Sequence, residues 1–189
     1  MFVTRQVGEE WLDECLLPKF KKENSIMVWG GILGETGTKF LVLWEKNDWG
    51  TITAQTYIDH ILQASLWPFW FWESHRCGPD LHGRPLWIME DGAPAHRAGA
   101  TKAWQDERHM PKLVWPPSSP DLNPIENIWH LLKTRLNKRN PHPTTMAAVR
   151  VAILEEWNGI TIDEIRRVVD NMPQRVQAVL AAEGGHTKW

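Results

Sequence analysis

Leu86-Trp87-Ile88-Met89-Glu90-Asp91-Gly92-Ala93-Pro94-Ala95-His96 is the stretch on which the reading of the fold turns. Four apolar residues in a row read as a short buried strand, and the run breaks into acids and then into turn-forming residues. A polar helix is expected next, roughly Ala98 to Arg108, followed by a second strand, Lys112-Leu113-Val114-Trp115, that stops at Pro116-Pro117. Ser118-Ser119-Pro120-Asp121-Leu122-Asn123-Pro124 has a turn-former at nearly every position. Beyond it, Ile125, Ile128, Trp129, Leu132 and Leu136 mark one face of a helix, with Asn123 as its N-cap and Pro124 at its first position.

Upstream, Ile26 to Leu33 and Phe40 to Trp44 are β-rich apolar runs around Gly34-Glu35-Thr36-Gly37-Thr38, which predicts a hairpin of buried strands. Tyr57, Ile58, Ile61, Leu62 and Leu66 recur at helical spacing after Thr53, a plausible cap, and Pro68 is expected to end that helix. Residues 73 to 85 read as a loop, and residues 1 to 24, of mixed charge without period, as an irregular arm. Downstream, one helix is expected from about Thr145 to Trp157. Another begins at Thr161, where Glu164 three residues on completes a capping-box pattern. The order of elements describes an α/β domain over residues 25–189 with a helical C-terminal part.

The composition fits that reading. The chain has 189 residues, 42% hydrophobic and 23% charged, enough apolar material for one packed core and too much for a disordered chain. No apolar run approaches the roughly 20 residues of a membrane span. The N-terminus lacks the pattern of a secretory signal, and two cysteines, Cys15 and Cys77, suit a reducing compartment. A net charge of -2 and a pI near 6.4 exclude a whole-molecule basic field, so any contact with nucleic acid is local.

Asp91 stands at the carboxyl end of a strand, and Glu126 in the first turn of the helix that follows the next strand. Open α/β sheets bind ligands beyond such strand ends. The 34 residues between the two acids allow a helix and a strand to bring the chain back to the same edge. Paired carboxylates there suit Mg²⁺, which takes one or two of them and completes its shell with water and phosphate oxygens. Two such ions about 3.5–4 Å apart support phosphoryl transfer. Each acid also has a local reading, since Asp91-Gly92 is a common turn and Glu126 is placed to close a capping box on Asn123.

Asp91 to His96 and Trp115 to Trp129, with the gap between their acids, closely resemble the second and third catalytic blocks of mariner-superfamily transposases. The resemblance extends to Ile26-Met27-Val28-Trp29-Gly30-Gly31, to Tyr57 and Ile58, and to Met172-Pro173-Gln174-Arg175 and Gly184 to Trp189. It implies an RNase H-like fold and a DDE transposase catalytic domain, in which three acids hold two Mg²⁺ or Mn²⁺ ions that cut DNA and join the freed 3′ end to a target. Asp91 then looks like the second acid and Glu126 the third, with His96 and Asn127 as supporting neighbours. The family's first Asp lies on a first strand upstream of the segment that Phe2 to Asn24 resembles, and no residue here takes its place. That strand is central in RNase H-like sheets, so its absence predicts two unpaired edges and an aggregation-prone or inactive fragment. The helix-turn-helix domains that read the terminal repeats are absent too, so sequence-specific end binding is not expected. The implied partner is DNA, both element ends and target, in the nucleus, with dimerisation left open. The alternative is a non-enzymatic remnant that binds DNA or protein. A cellular RNase H is disfavoured by the wording of Pro116 to Trp129.

No acid lies between Glu126 and Glu155, whereas Lys133, Arg135, Lys138 and Arg139 do, which gives either a strip for DNA phosphates or a solvated helix face. His75, Cys77 and His82 match no common zinc spacing and are read as a metal-free loop. Trp67-Pro68-Phe69-Trp70-Phe71-Trp72, in a chain with thirteen tryptophans, is read first as packing and second as a protein interface.

Overall fold

The computed structural model describes residues 26–76, 86–116, 119–185 and 187. The 1–24 arm, Cys77 and His82 lie outside the described residues, as do Pro117, Ser118, His186, Lys188 and Trp189.

β1 (Val28–Ile32) and β2 (Lys39–Leu43) form the expected antiparallel hairpin, with Val28 opposite Leu43 and Ile32 opposite Lys39. Its turn closes through Leu33 and Thr38, with Gly37 at φ +68°, a left-handed conformation that glycine adopts without strain. Alternation then divides the hairpin between two cores. Trp29, Phe40 and Val42 pack on one side with Tyr57, Ile58, Ile61, Leu62, Leu66 and Ile88. Val28, Ile32, Leu41 and Leu43 pack on the other side with Ile128, Leu132, Ile153, Trp157 and Ile165. Helices therefore cover both faces of a thin sheet, the layering expected of an α/β unit.

The first helical layer is α1 (Lys46–Trp49), α2 (Ala54–Tyr57), a π-helical segment (Ile58–Leu66) and α3 (Trp67–Arg76). Thr53 caps α2 as read from the sequence, its side chain accepting from Thr56 N–H. The expected stop at Pro68 is wrong, because the helix continues to Arg76 and takes in the start of the supposed 73–85 loop. Proline ends a helix when its ring meets the carbonyl four residues back. Here the wider π turn comes first, with Trp67 N–H donating to Leu62 O, and it accommodates the ring. Trp67 and Trp70 pack against the first core, whereas Trp72 is 70% exposed, so the aromatic cluster is only partly packing.

The two strands expected at 86–89 and 112–115 reduce to a single parallel bridge, Ile88 to Lys112. Ile88 N–H donates to Pro111 O, and Leu113 N–H to Ile88 O. The next bond of a parallel ladder would run from residue 111 to Leu86 O. Pro111 has no N–H to give, and Leu86 O accepts from Trp70 Nε1 instead, at 3.0 Å. In the other direction the chain leaves the core, and Val114 is 99% exposed.

α4 (Pro94–Arg97), which the sequence reading missed, precedes α5 (Gly99–Glu107), the expected polar helix. A 3-10 turn (Pro120–Leu122) leads into α6 (Pro124–Lys138), capped by Asn123. α7 (Met146–Asn158) and α8 (Ile162–Asp170) start at Thr145 and Thr161 as expected, and α8 has both halves of the Thr161/Glu164 capping box. α9 (Met172–Ala181) completes the helical part. Trp129 and Trp157 stack at 5.2 Å beneath β1. A Cβ on Gly30 would meet Trp129 at 2.8 Å, so glycine is what lets the pair approach the strand.

Candidate active site

Asp91 ends the extended segment that the Ile88 bridge anchors. Its Oδ1 accepts from Ala93 N–H at 3.0 Å, so the turn expected at Asp91-Gly92 is formed. The side chain nevertheless stays 57% exposed, and the same oxygen stands 2.7 Å from His96 Nδ1. α4 makes that contact possible by returning the chain, and the His96 ring packs against Tyr57 at 4.7 Å. His96, placed beside the site by sequence, thus touches Asp91 directly.

Glu126 lies in the first turn of α6. Asn123 caps that helix through Ile125 N–H at 3.4 Å, and Glu126 makes no reciprocal capping-box bond of the kind Glu164 makes to Thr161. The local alternative for Glu126 is therefore not realised. Asp91 and Glu126 line the same two adjoining cavities. One, of about 310 Å³, runs back between β1 and residues 86–91, and the other, of about 340 Å³, opens toward Arg97, Trp115 and Pro120. Two carboxylates on one cavity wall are hard oxygen donors suited to Mg²⁺ or Mn²⁺. Among the described residues, no cluster of three or more His, Cys, Asp or Glu side chains is arranged to hold a metal.

Behind Asp91 lies a group that the sequence reading missed. Glu90 is 6% exposed. Tyr57 donates its hydroxyl to Oε1 at 2.5 Å, Gln105 Nε2 donates to Oε2 at 3.0 Å, and Lys112 Nζ stands 2.6 Å from Oε2. Burial pushes the Glu90 carboxyl up, but His96, the Lys112 charge and the hydrogen bonds from Lys112 and Tyr57 outweigh it and hold the group below its ordinary value. Burial, then the Glu90 charge, pushes Tyr57 well above the ordinary tyrosine value, so its hydroxyl remains a donor. Lys112 also donates to His96 O at 3.1 Å. One lysine therefore ties together the residues on either side of the Asp91 turn.

Asn127 does not face the carboxylates as expected of a neighbour. Its Oδ1 accepts from Arg175 Nη1 at 2.9 Å, which ties the first turn of α6 to α9. The basic strip is also reduced by folding. Arg135 pairs with Glu164 at 2.5 Å, and Arg139 with Glu155 and Glu156 at 2.6 and 2.7 Å, acids that are distant in sequence. Lys133 and Lys138 are exposed.

Residues 12–147 match the family described as DDE superfamily endonuclease. The Tc1 transposase of Caenorhabditis elegans is 30% identical over 190 residues, an alignment that covers 100% of this chain and 63% of that protein. The chain thus spans less than two thirds of that relative. The catalytic domain of Mos1 mariner transposase superposes with a TM-score of 0.62 at 18% identity, covering 79% of this chain and 70% of that one. The Mos1 catalytic domain solved with Raltegravir and Mg gives 0.61 at 19%, covering 86% and 84%. The architecture is accordingly RNase H-like, carried here by a two-stranded sheet and a single parallel bridge. By the match along most of its length, the chain belongs to the DDE superfamily endonuclease family and is related to the Tc1/mariner transposases.

Proposed function

We propose that this chain forms the catalytic part of a transposase that cleaves and joins DNA strands by phosphoryl transfer, with Asp91 and Glu126 as carboxylate ligands for divalent cations, Mg²⁺ or Mn²⁺. One observation carries the reading: the extended segment ending in Asp91 and the first turn of α6 holding Glu126 open on the same two cavities. When bound, the ions supply charge neutralisation at the scissile phosphate and activation of the attacking water or 3′-hydroxyl. The protein supplies position. His96 holds Asp91 Oδ1, the Glu90 network holds the backbone on both sides of it, and the Asn127–Arg175 bond fixes the helix turn that carries Glu126. Lys133 and Lys138 supply phosphate contacts on α6, while Arg135 and Arg139 hold α6 to α8 and α7. The partners are transposon-end and target DNA, and the place of action is the nucleus. No helix among the described residues is long and apolar enough to cross a membrane.

A second reading, a DNA- or protein-binding remnant without catalysis, is favoured by one fact. Among the described residues, Asp91 and Glu126 are the only acids that line both cavities. Iron-directed cleavage separates the two readings. Fe²⁺ with ascorbate should cut the backbone near residues 91 and 126, and Asp91→Asn should suppress both cuts while leaving circular dichroism unchanged. Absence of cutting in the parent chain, with salt-dependent DNA binding retained, would establish the remnant.

A further inference from the structure

The two cavities that meet at Asp91 and Glu126 differ in charge. The first is walled by Phe69, Trp70, Ile125 and Trp129 and has no lysine or arginine among its lining residues. The second has Arg97, the only lysine or arginine on either wall among the described residues. Local sequence explains how it comes there. Pro94 opens α4, Arg97 N–H closes the turn on Ala93 O at 3.1 Å, and Ala98 leaves the helical region at ψ 142°, so the helix stops with Arg97 on the cavity wall. His96, one residue back, takes the Asp91 carboxylate, and Arg97 pairs with neither Asp91 nor Glu126. Lys112, Arg135, Arg139 and Arg150 all have acid partners within the fold, whereas Arg97 is exposed and has none among the described residues. A second donor on the same wall is also unspent. Trp115 Nε1 is buried without a hydrogen-bond partner, although Val114 and Pro116 on either side of it are exposed. Buried indole N–H groups ordinarily find an acceptor.

The neighbouring acids decide what these donors can hold. Bare carboxylates repel an anion, and with divalent cations on them the sign of the local field reverses. A guanidinium fork matches two oxygens of a phosphate, and an indole N–H can give a third bond. At about 340 Å³ the cavity is near the lower limit, roughly 300 Å³, of enclosing small-ligand sites, which suits one nucleotide rather than a duplex. Gly92 adds no side chain at its mouth, and a Cβ there would meet nothing within 4 Å. We propose that the second cavity is a subsite for the phosphate next to the scissile one in a single DNA strand, held by the Arg97 guanidinium and the Trp115 indole N–H. The inference rests on the phosphoryl-transfer reading above and adds the course of the strand, which leaves the carboxylates over α4 and Trp115 rather than through the apolar cavity.

The test uses the 189-residue chain with Mg²⁺ and a thymidine trinucleotide, compared by NMR titration with the same trinucleotide made neutral at one linkage by a methylphosphonate. The chain should prefer the fully charged form by about fivefold. Arg97→Gln should abolish that preference and Arg97→Lys should keep most of it, while both bind the thymidine dinucleotide, with its single phosphate, as the parent does. Trp115→Phe, which keeps an aromatic ring and removes the N–H, should weaken the charged trinucleotide by about twofold or more. A preference that survives in Arg97→Gln overturns the proposal, and so does weaker dinucleotide binding in that variant, which would assign Arg97 to the cation site itself. No effect of Trp115→Phe removes the indole from the subsite. Iron-directed cleavage keeps the underlying reading separate. Cuts near residues 91 and 126 together with a surviving preference in Arg97→Gln sink the subsite alone, and cuts missing from the parent chain sink both.

Discussion

Glu90 shows how one residue position can hold a site it does not enter. Its carboxylate is buried and saturated by Tyr57, Gln105 and Lys112, donors from three separate segments. Removing one donor should expose the cost of the arrangement. Tyr57→Phe leaves Oε1 without its partner in a buried setting and should lower stability by about 1.5–3 kcal/mol in urea denaturation. A loss below measurement error would mean that water replaces the hydroxyl. Gly30→Ala should cost about 1–3 kcal/mol in the same assay, because its methyl would displace the Trp129 ring. Asp91 and Glu126 stood out in the sequence through the resemblance of their flanking motifs to the transposase blocks, since spacing alone left a turn and a capping role equally open, and the structure places both on the same two cavities. Glu90 was not, since a charged residue beside another charged residue reads as solvent-facing until three distant donors are seen to converge on it. The ion pairs of Arg135 and Arg139 were hidden for the same reason, their acids lying 29 and 16–17 positions away along the chain.

At the level of elements, capping chemistry carried over from sequence to structure most faithfully. Asn123, Thr145 and Thr161 each start the helix expected of them, because a cap is decided within four residues. Strands beyond the hairpin did not carry over, since the ladder at Ile88 depends on Pro111 and on a tryptophan from α3. Pro68 was misread because a π turn is set by how the helix packs rather than by composition. The Thr161/Glu164 box also has a pH consequence. Burial raises the Glu164 carboxyl, but the Thr161 backbone hydrogen bond and Arg135 outweigh it, so its folded value lies below the ordinary one. A depressed carboxylate contributes stability that is present above the unfolded value and lost as pH falls through the folded one. Glu164→Gln should therefore lower the thermal midpoint at pH 7 but change it little at pH 3, as read by circular dichroism. An equal loss at both pH values would assign the effect to packing instead.

For the molecule as a whole, an acidic balance and a short run of free lysines imply weak, local contact with nucleic acid. If Lys133 and Lys138 each neutralise one phosphate, replacing both by alanine should reduce the slope of log K against log salt by roughly two while leaving sequence preference unchanged. An unchanged slope places the DNA elsewhere. The hairpin has a different consequence. β2 packs against both the π-helical segment and α7, and the two cores meet chiefly through these ten residues of strand. A seam so thin transmits little cooperativity, so the halves should melt as separate units. Calorimetry should then show a van't Hoff enthalpy well below the calorimetric one, with the α6–α8 half and the π-helical half giving up their heat at different temperatures.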